Sequence, residues 1–136
     1  MERKLLQKFD QTIHDRHYAN RSEAIRDLIR DYLVSEYVEQ QMTTPSADAR
    51  PIIGTLTLVY NHDMYDLNAR LTALQHDYHE TILSSMHVHL DFHHCLEVLA
   101  LKGPASIVRD IANQITGARG VLHGKLTTTV VSPDFC

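Results

Sequence analysis

The chain has 136 residues, 43% of them hydrophobic, so it can bury the core of one ordinary domain or of two small ones and is not expected to be disordered. Its formal net charge of −4 argues against a general nucleic-acid-binding protein. Residues 1–34, however, hold seven Lys and Arg against six acids, whereas the remainder holds six against eleven. Any nucleic-acid surface must therefore lie in the first segment.

The cysteine content and the apolar pattern limit the compartment. The chain has only two cysteines, Cys95 and Cys136, which is no disulfide framework, so a reducing cytoplasm is expected. No apolar run approaches the ~20 residues of a membrane span. The N-terminal stretch is charged throughout and lacks the apolar region of a signal peptide. We therefore expect a cytoplasmic protein without membrane segments.

The first 42 residues form the first predicted domain. Apolar residues at helical spacing predict a helix over residues 3–14 and a second helix from Arg21 to about Val38. Asn20 and Glu23 match a capping box, with Asn20 as the N-cap. Two short helices joined by a polar turn suit a DNA-reading module. An ordinary helical hairpin with a solvated charged face explains the same spacing, and on spacing alone we favour it.

Polar residues with prolines at 45 and 51 predict a linker over residues 43–50. A second predicted domain follows at 51–131, and residues 132–136 are a tail. Its predicted elements are, in order, a strand over 52–60, a helix over 63–79, strands over 82–90 and 95–101, a helix from about 104 to 116 and a strand over 121–131. The order β-α-β-β-α-β predicts an α+β ferredoxin-like domain with two helices on one face of an antiparallel sheet.

A histidine pair stands out in the second strand of this domain. His87 and His89 alternate with apolar residues from Met86 to Leu90, a period of two that predicts one apolar face and one imidazole face. Same-face residues lie about 6.5–7 Å apart along a strand, so two imidazoles can close on one ion. A lone H-x-H pattern is weak, because histidines are common in half-buried strands.

The following strand adds a thiol to the same face. A symmetrical turn over residues 91–94 would place His89 opposite Cys95 and His87 opposite Glu97. Two imidazoles and a thiolate make a three-ligand site for a transition metal, and Glu97 could orient an imidazole by a hydrogen bond. Because a face without helices must be covered or polar, we expect these four residues on the face opposite the helices or in a subunit interface.

The pattern leaves the fourth ligand and the metal open. His76 and His79, one turn apart on the preceding helix, are the candidates, and their helix end could reach a neighbouring subunit. Zinc prefers a tetrahedral set, whereas Ni(II) and Cu(II) favour planar ones. The other histidines are expected in the turn, at His93 and His94, or at ordinary polar positions, at His14, His17 and His62.

Several motifs together resemble the NikR family of nickel-responsive transcriptional regulators. They are Asn20-Arg21-Ser22-Glu23-Ala24-Ile25-Arg26-Asp27, Leu74-Gln75-His76, His87-Val88-His89-Leu90, Cys95-Leu96-Glu97-Val98 and Gly120-Val121-Leu122-His123-Gly124. The resemblance runs from about residue 4 to 131. It implies a ribbon-helix-helix domain that binds operator DNA, and an ACT-like domain that binds nickel and forms a homotetramer, a dimer of dimers.

The resemblance also implies the ligand set. His87, His89 and Cys95 of one chain, with His76 from a partner subunit, would bind one Ni(II) per subunit in a square plane. Gln75 and Glu97 would contact these ligands without binding the metal themselves.

A second implied site takes a hard cation such as K⁺ between the two domains. Its acidic ligands would be Glu23 and Asp27, with backbone carbonyls near Thr116, Ala118 and Val121. The plainer interpretation is that Glu23 serves only in the capping box.

The DNA-binding part departs from the family pattern. Family members begin with a strand that pairs across a dimer and reads base edges in the major groove. This sequence starts at or just before its first helix, so we expect that strand to be missing or encoded upstream of Met1. The residues left to contact DNA phosphates are Asn20, Arg21, Ser22 and Arg26, and phosphate contacts do not specify sequence.

Three functions follow from these observations. The first is a nickel-responsive DNA-binding repressor of nickel uptake. The second is a nickel- or transition-metal-binding module without sequence-specific DNA binding. The third, a zinc enzyme, is disfavoured because the chain has neither H-E-x-x-H nor a Gly-rich phosphate loop. We therefore expect no enzymatic activity.

Overall fold

The computed structural model describes residues 2–44 and 50–131, apart from the side chain of residue 65. The core of the predicted linker, the predicted tail with Cys136, and Met1 lie outside the described residues. The elements are α1 (Arg3–Asp15), α2 (Arg21–Thr43), β1 (Ile52–Asn61), α3 (Tyr65–Asp77), β2 (Ile82–His89), β3 (His94–Gly103), α4 (Ala105–Thr116) and β4 (Val121–Val130). An N-terminal helical segment thus precedes the βαββαβ order predicted from the sequence.

The second helix begins where the cap predicts and ends later than predicted. The Asn20 side chain accepts a hydrogen bond from the Glu23 backbone N–H at 3.0 Å, which satisfies one free donor of the first turn. The Glu23 carboxylate binds Arg26 instead of completing the capping box. The helix continues beyond Val38 because Val38 and Met42 pack against the hydrophobic core of the sheet domain.

The four strands form one antiparallel sheet in the order β2-β3-β1-β4. Helices α3 and α4 cover one face of it, because their apolar residues share one buried cluster with the strands. That cluster includes Leu67, Leu71 and Leu74 of α3, Val108, Ile111 and Ile115 of α4, and Leu56, Leu58, Leu99 and Leu101 of the strands. The predicted α+β architecture, with both helices on the same face, is therefore confirmed.

The face that carries the metal-site residues differs from the prediction. Along β3, Cys95 and Glu97 alternate into the buried side together with Leu99 and Leu101, which is the helix-covered face. The alternative that they lie on the opposite face was therefore wrong, and the alternative of a subunit interface stays a prediction. A thiol is readily buried, and the Glu97 carboxylate receives a hydrogen bond from Gln75 of α3, so neither side chain needs an uncovered face.

Gly124 lets the last strand approach the end of α4 closely, and Gly120 shapes the backbone just before that strand. Gly120 has a φ of 97°, a backbone conformation that favours glycine. A Cβ at Gly124 would lie 2.4 Å from Cγ2 of Thr116 and 2.9 Å from Cδ2 of Leu58, so only glycine fits there without displacement. The Gly120–Gly124 motif is thus accounted for by packing around its two glycines.

Among the described residues, no helix is both long and apolar enough to cross a membrane. The longest, α2, runs from Arg21 to Thr43 and carries charged residues along most of its length.

Candidate metal centre

The ends of three strands meet at one corner of the sheet. β2 pairs with β3 so that His89 lies opposite Cys95 and His87 lies opposite Glu97, as the sequence predicted. On its other side β3 pairs with β1, which places Tyr60 opposite Cys95. Because directly paired residues share a face, Cys95 receives side chains from both neighbouring strands.

Two imidazoles approach the Cys95 sulfur. Nδ1 of His62 lies 3.2 Å from Sγ, and Nδ1 of His89 lies 3.6 Å from it. Within the described part of the chain, these residues form the one group of three or more His, Cys, Asp or Glu side chains whose ligand atoms all lie within 4.8 Å of one another. Two nitrogens and a sulfur are a donor set that suits Ni(II), Zn(II) or Cu.

His62 is the member that the sequence analysis missed. It was expected to be an ordinary polar position, whereas the structure places its Nδ1 atom beside the Cys95 sulfur. The backbone continues the β1–β3 pairing past Asn61, since the His62 N–H donates to the carbonyl of His93 at 2.7 Å. Two residues beyond Tyr60 and just past the end of β1, His62 lies on the same side as Cys95. The signal was the β1–β3 register, which no local pattern reveals.

His87, a predicted ligand, lies beside this cluster but is not within the same 4.8 Å group. Its ring centroid is 4.9 Å from that of His89. Its Nδ1 atom lies 3.0 Å from the Tyr60 hydroxyl. The ring is therefore adjacent to the cluster of His62, His89 and Cys95. One of its nitrogens, Nδ1, already contacts the Tyr60 hydroxyl.

A chain of hydrogen bonds runs from His87 to helix α3. The Tyr60 hydroxyl donates to Oε2 of Glu97 at 3.2 Å, and Nε2 of Gln75 donates to Oε1 of the same carboxylate at 3.4 Å. The Ser85 hydroxyl donates to Oε1 of Gln75, also at 3.4 Å. The predicted supporting residues Glu97 and Gln75 are thus in contact, and Tyr60 joins them to the imidazole.

The Cys95 thiol is fully buried, and burial raises its pKa. The neighbouring Tyr60 hydroxyl works against this shift, whereas the nearby charges of Glu97, Asp91 and Asp63 add to it. A raised pKa keeps the proton on sulfur at neutral pH. Because a metal binds the thiolate, metal binding at this site must displace that proton.

His93 lies exposed in the turn after β2, as predicted, whereas His94 is half-buried and begins β3. His93 Nδ1 lies 3.0 Å from an Asp63 carboxylate oxygen, and His94 Nδ1 lies 2.9 Å from both carboxylate oxygens of Asp91. Hydrogen bonds from the His93 backbone, and then from the His94 side chain, lower the pKa of Asp91. A cavity of about 460 Å³ opens here, and it is lined by His62, His89, Leu90, Asp91 and Phe92.

The two candidate fourth ligands lie outside the cluster, with His76 in the last turn of α3 and His79 just beyond its end, where the predicted helix over 63–79 has already stopped. Both side chains are exposed, and His79 Nδ1 lies 3.3 Å from the His76 carbonyl oxygen. Gln75, the neighbour of His76, is half-buried and faces Glu97. The helix therefore directs Gln75 to its own sheet, while His76 faces outward.

The side chains expected to contact DNA phosphates or a hard cation lie at the N-cap and in the first turns of α2, and most of them are bound by neighbouring side chains. Arg21 donates two hydrogen bonds of 2.8 Å to Asp10, and Arg26 pairs with Glu23 at 2.7 Å. The pKa of Asp10 is lowered chiefly by that hydrogen bond. The remaining positions are Asn20, which caps the helix, Ser22, which is exposed, and Asp27, which accepts a hydrogen bond from the Tyr18 hydroxyl.

Comparison with known proteins connects this chain with nickel. The family model described as "NikR C terminal nickel binding domain" matches residues 53–129. A relative from Nitratidesulfovibrio vulgaris (strain Miyazaki F), described as an inferred nickel-responsive regulator, is 50% identical over 131 residues, 96% of this chain and 89% of the relative. One from Thermococcus onnurineus (strain NA1), described in the same way, is 48% identical over 131 residues, 96% of this chain and 90% of the relative.

A solved structure has a fold similar to part of this chain. An uncharacterized protein from Thermotoga maritima matches 58% of this chain and 98% of its own, with a TM-score of 0.52 and 19% sequence identity. At that identity the likeness concerns the fold alone. The sequence relatives carry the assignment, since they match nearly the whole chain at about half identity. The chain belongs to the NikR family of nickel-responsive regulators, which are regulatory proteins and not enzymes.

Proposed function

We propose that this protein is a nickel-dependent DNA-binding repressor of nickel uptake. The observation that carries the proposal is the cluster of His62, His89 and Cys95, with His87 beside it, in a chain of this family. Nitrogen donors with a thiolate suit Ni(II). Nickel would bind at this cluster, and the N-terminal helices would bind DNA in response to the bound nickel.

The proposed nickel site uses His87, His89 and Cys95 of one chain and His76 of a partner subunit, with one ion per subunit. The support for a cross-subunit His76 is the orientation of α3. Its Gln75 side chain is held by Glu97 of the same chain, so the exposed His76 is directed away from its own cluster. A partner would have to bring its own His76 to the site.

His62 offers a competing fourth donor within the same chain. It already lies 3.2 Å from the Cys95 sulfur, as near as any side chain of the cluster. A set of His62, His89 and Cys95 needs no partner, whereas the set with His76 does. The proposal therefore predicts that loss of His76 weakens nickel binding and that loss of His62 does not.

Nickel titration of single variants tests the ligand set. His76→Ala should lose tight nickel binding, His62→Ala should keep it, and His79→Ala, just beyond the end of α3, is the matched control. The opposite ranking of His62→Ala and His76→Ala would replace the proposed site with one contained in a single chain. Equal nickel affinity in all three variants would contradict both ligand sets, the one with His76 of a partner subunit and the one with His62.

Assembly as a dimer of dimers fits two uncovered apolar surfaces. The helical segment exposes Leu5, Ile25, Leu28, Ile29, Tyr32 and Leu33. The sheet domain exposes apolar side chains of β2 and the turn after it, namely Leu83, Met86, Val88, Leu90 and Phe92. Large exposed apolar patches mark interaction surfaces. We propose that the first closes the DNA-binding dimer and that the second takes part in the tetramer.

The proposed DNA surface is the N-terminus of α2, with Asn20, Ser22, Arg21 and Arg26. Backbone N–H groups at a helix start attract phosphate, and the two arginines add positive charge. The same proposal includes a hard cation such as K⁺ at Glu23 and Asp27. Carboxylate oxygens suit such an ion, which would compete with Arg26 and Tyr18 for them.

A second candidate function is a nickel-binding module without sequence-specific DNA binding. Its support is that Arg21 is held by Asp10 in two hydrogen bonds, which leaves less of its charge for phosphate. Asp10→Asn should release Arg21 and strengthen DNA binding in the repressor, whereas Arg21→Ala should weaken it and reduce its salt dependence. A protein that binds nickel tightly but binds DNA under no condition would favour the module.

A further inference from the structure

Tyr60 lies between His87 and Glu97 at the corner of the sheet that carries the candidate metal site. Its side chain is fully buried. Its hydroxyl oxygen is 3.2 Å from Oε2 of Glu97 and 3.0 Å from Nδ1 of His87. One hydroxyl group therefore links a buried carboxylate to an imidazole of the proposed nickel site.

The hydroxyl has a single hydrogen, and the carboxylate determines where it points. A carboxylate can only accept hydrogen bonds, and Glu97 is 6% exposed, so few water molecules can reach it. A buried acceptor without donors is costly. Its other protein donor, Gln75, is 3.4 Å away. The Tyr60 hydrogen therefore points to Glu97, and the neighbouring Cys95 thiol is too weak an acceptor to compete.

The direction of that bond fixes the next one. With its hydrogen given to Glu97, the Tyr60 oxygen can only accept from His87, so Nδ1 of His87 must carry hydrogen. A neutral imidazole has one N–H, and Nε2 then keeps its lone pair. We propose that Tyr60 is a positioning residue that holds His87 in the Nδ1–H tautomer and so presents Nε2 to the metal. The inference rests on the proposed role of His87 as a nickel ligand.

The other two imidazoles at this corner are arranged differently. Both His62 and His89 direct Nδ1 toward the Cys95 sulfur, at 3.2 and 3.6 Å. His87 directs Nδ1 away, to the hydroxyl of Tyr60. Its Nε2 is therefore the nitrogen left for the ion, and the opposite tautomer would place a hydrogen on that atom. The partner of the non-ligating nitrogen commonly sets the tautomer at metal sites.

The tautomer can be measured without any metal. Nitrogen-15 NMR of the metal-free full chain, labelled at histidine, distinguishes a protonated from an unprotonated ring nitrogen, and His87→Gln identifies the His87 signals. At a pH where the ring is neutral, the inference predicts a protonated Nδ1 and an unprotonated Nε2. A His87 signal with hydrogen on Nε2, or an equal mixture of both forms, would overturn it.

Tyr60→Phe keeps the ring and removes only the hydroxyl. The inference predicts that His87 in this variant becomes a mixture of tautomers and that nickel affinity falls by about 10- to 100-fold. Tyr78→Phe is the control, because it removes a hydroxyl that contacts Gln114 on another part of the same domain. An unchanged His87 tautomer in folded Tyr60→Phe would overturn the inference.

The wild-type tautomer decides the question in the event that Tyr60→Phe does not fold. The nickel titration of the wild-type chain is a separate measurement. It tests the proposed function, and its failure would leave the tautomer result standing as a statement about the metal-free protein. Failure of the tautomer prediction, in turn, would leave nickel binding itself untouched.

Discussion

Nδ1 of His62 lies 3.2 Å from the Cys95 sulfur, although 33 residues separate the two positions along the chain. The contact exists because β1 and β3 are neighbours in the sheet and Tyr60 is paired with Cys95. A histidine at the end of β1 and a cysteine on the neighbouring strand β3 thus lie at the centre of the candidate metal site. The third strand, β2, adds His89 and His87.

Replacement of the thiol should abolish tight nickel binding. Cys95→Ser keeps the size of the side chain but replaces a soft thiolate with a hydroxyl that does not ionise at neutral pH. Nickel titration by absorbance should show the loss of the thiolate-to-nickel band together with the loss of affinity. His93→Ala is the matched control in the same turn. Retention of tight binding in Cys95→Ser would exclude Cys95 as a ligand.

Nickel binding should strengthen as the pH rises. Burial raises the pKa of the Cys95 thiol, so at neutral pH the metal-free protein holds a proton that the ion must displace. Displacement of one proton increases the apparent affinity by up to about tenfold per pH unit below that pKa. Titrations in weakly coordinating buffers at several pH values measure this slope. A flat profile around neutrality would show that the thiolate is already formed or does not bind.

The glycine beneath the end of α4 should be intolerant of a methyl group. Gly124→Ala would place Cβ 2.4 Å from Cγ2 of Thr116. We expect a loss of about 1–3 kcal/mol in the free energy of unfolding, the usual cost of overpacking. Thermal or urea unfolding measures it. Adding Thr116→Ser removes the nearest atom, Cγ2, and should recover part of the lost free energy of unfolding. If the effects of the two substitutions simply add in the double variant, this explanation is contradicted.

The N-cap of α2 should contribute measurably to stability. Asn20→Ala removes the acceptor of the Glu23 backbone N–H and should lower the free energy of unfolding by about 1 kcal/mol. Ser22→Ala, at an exposed position in the same turn, is the control and should have little effect. Equal unfolding curves for Asn20→Ala and the wild type would show that the cap is not needed.

The parts of the site that are local in sequence were predictable. The pairs His89 with Cys95 and His87 with Glu97 follow from a short symmetrical turn, and the structure confirms them. His62 was not predictable in the same way, because its position depends on the register between β1 and β3, which are not consecutive strands.

The face of the sheet could not be predicted for a related reason. The polarity of Glu97 suggested an uncovered surface, yet its hydrogen-bond donors, Tyr60 and Gln75, come from two other elements. Local patterns give the period of a strand, but they do not give the partners that make a buried carboxylate tolerable. The length of α2 was underestimated similarly, since Val38 and Met42 are stabilised by contacts with the distant sheet domain.

The most direct test of the account is a gel-shift experiment with the full chain and promoter DNA of a nickel-transporter gene from the same genome. The chain is compared metal-free and with stoichiometric Ni(II), with Cys95→Ser as the control. The account predicts a shifted complex only for the wild type with nickel, and little binding to unrelated DNA of equal length. Equal binding with and without nickel, or no binding by a protein that has taken up nickel, would contradict it.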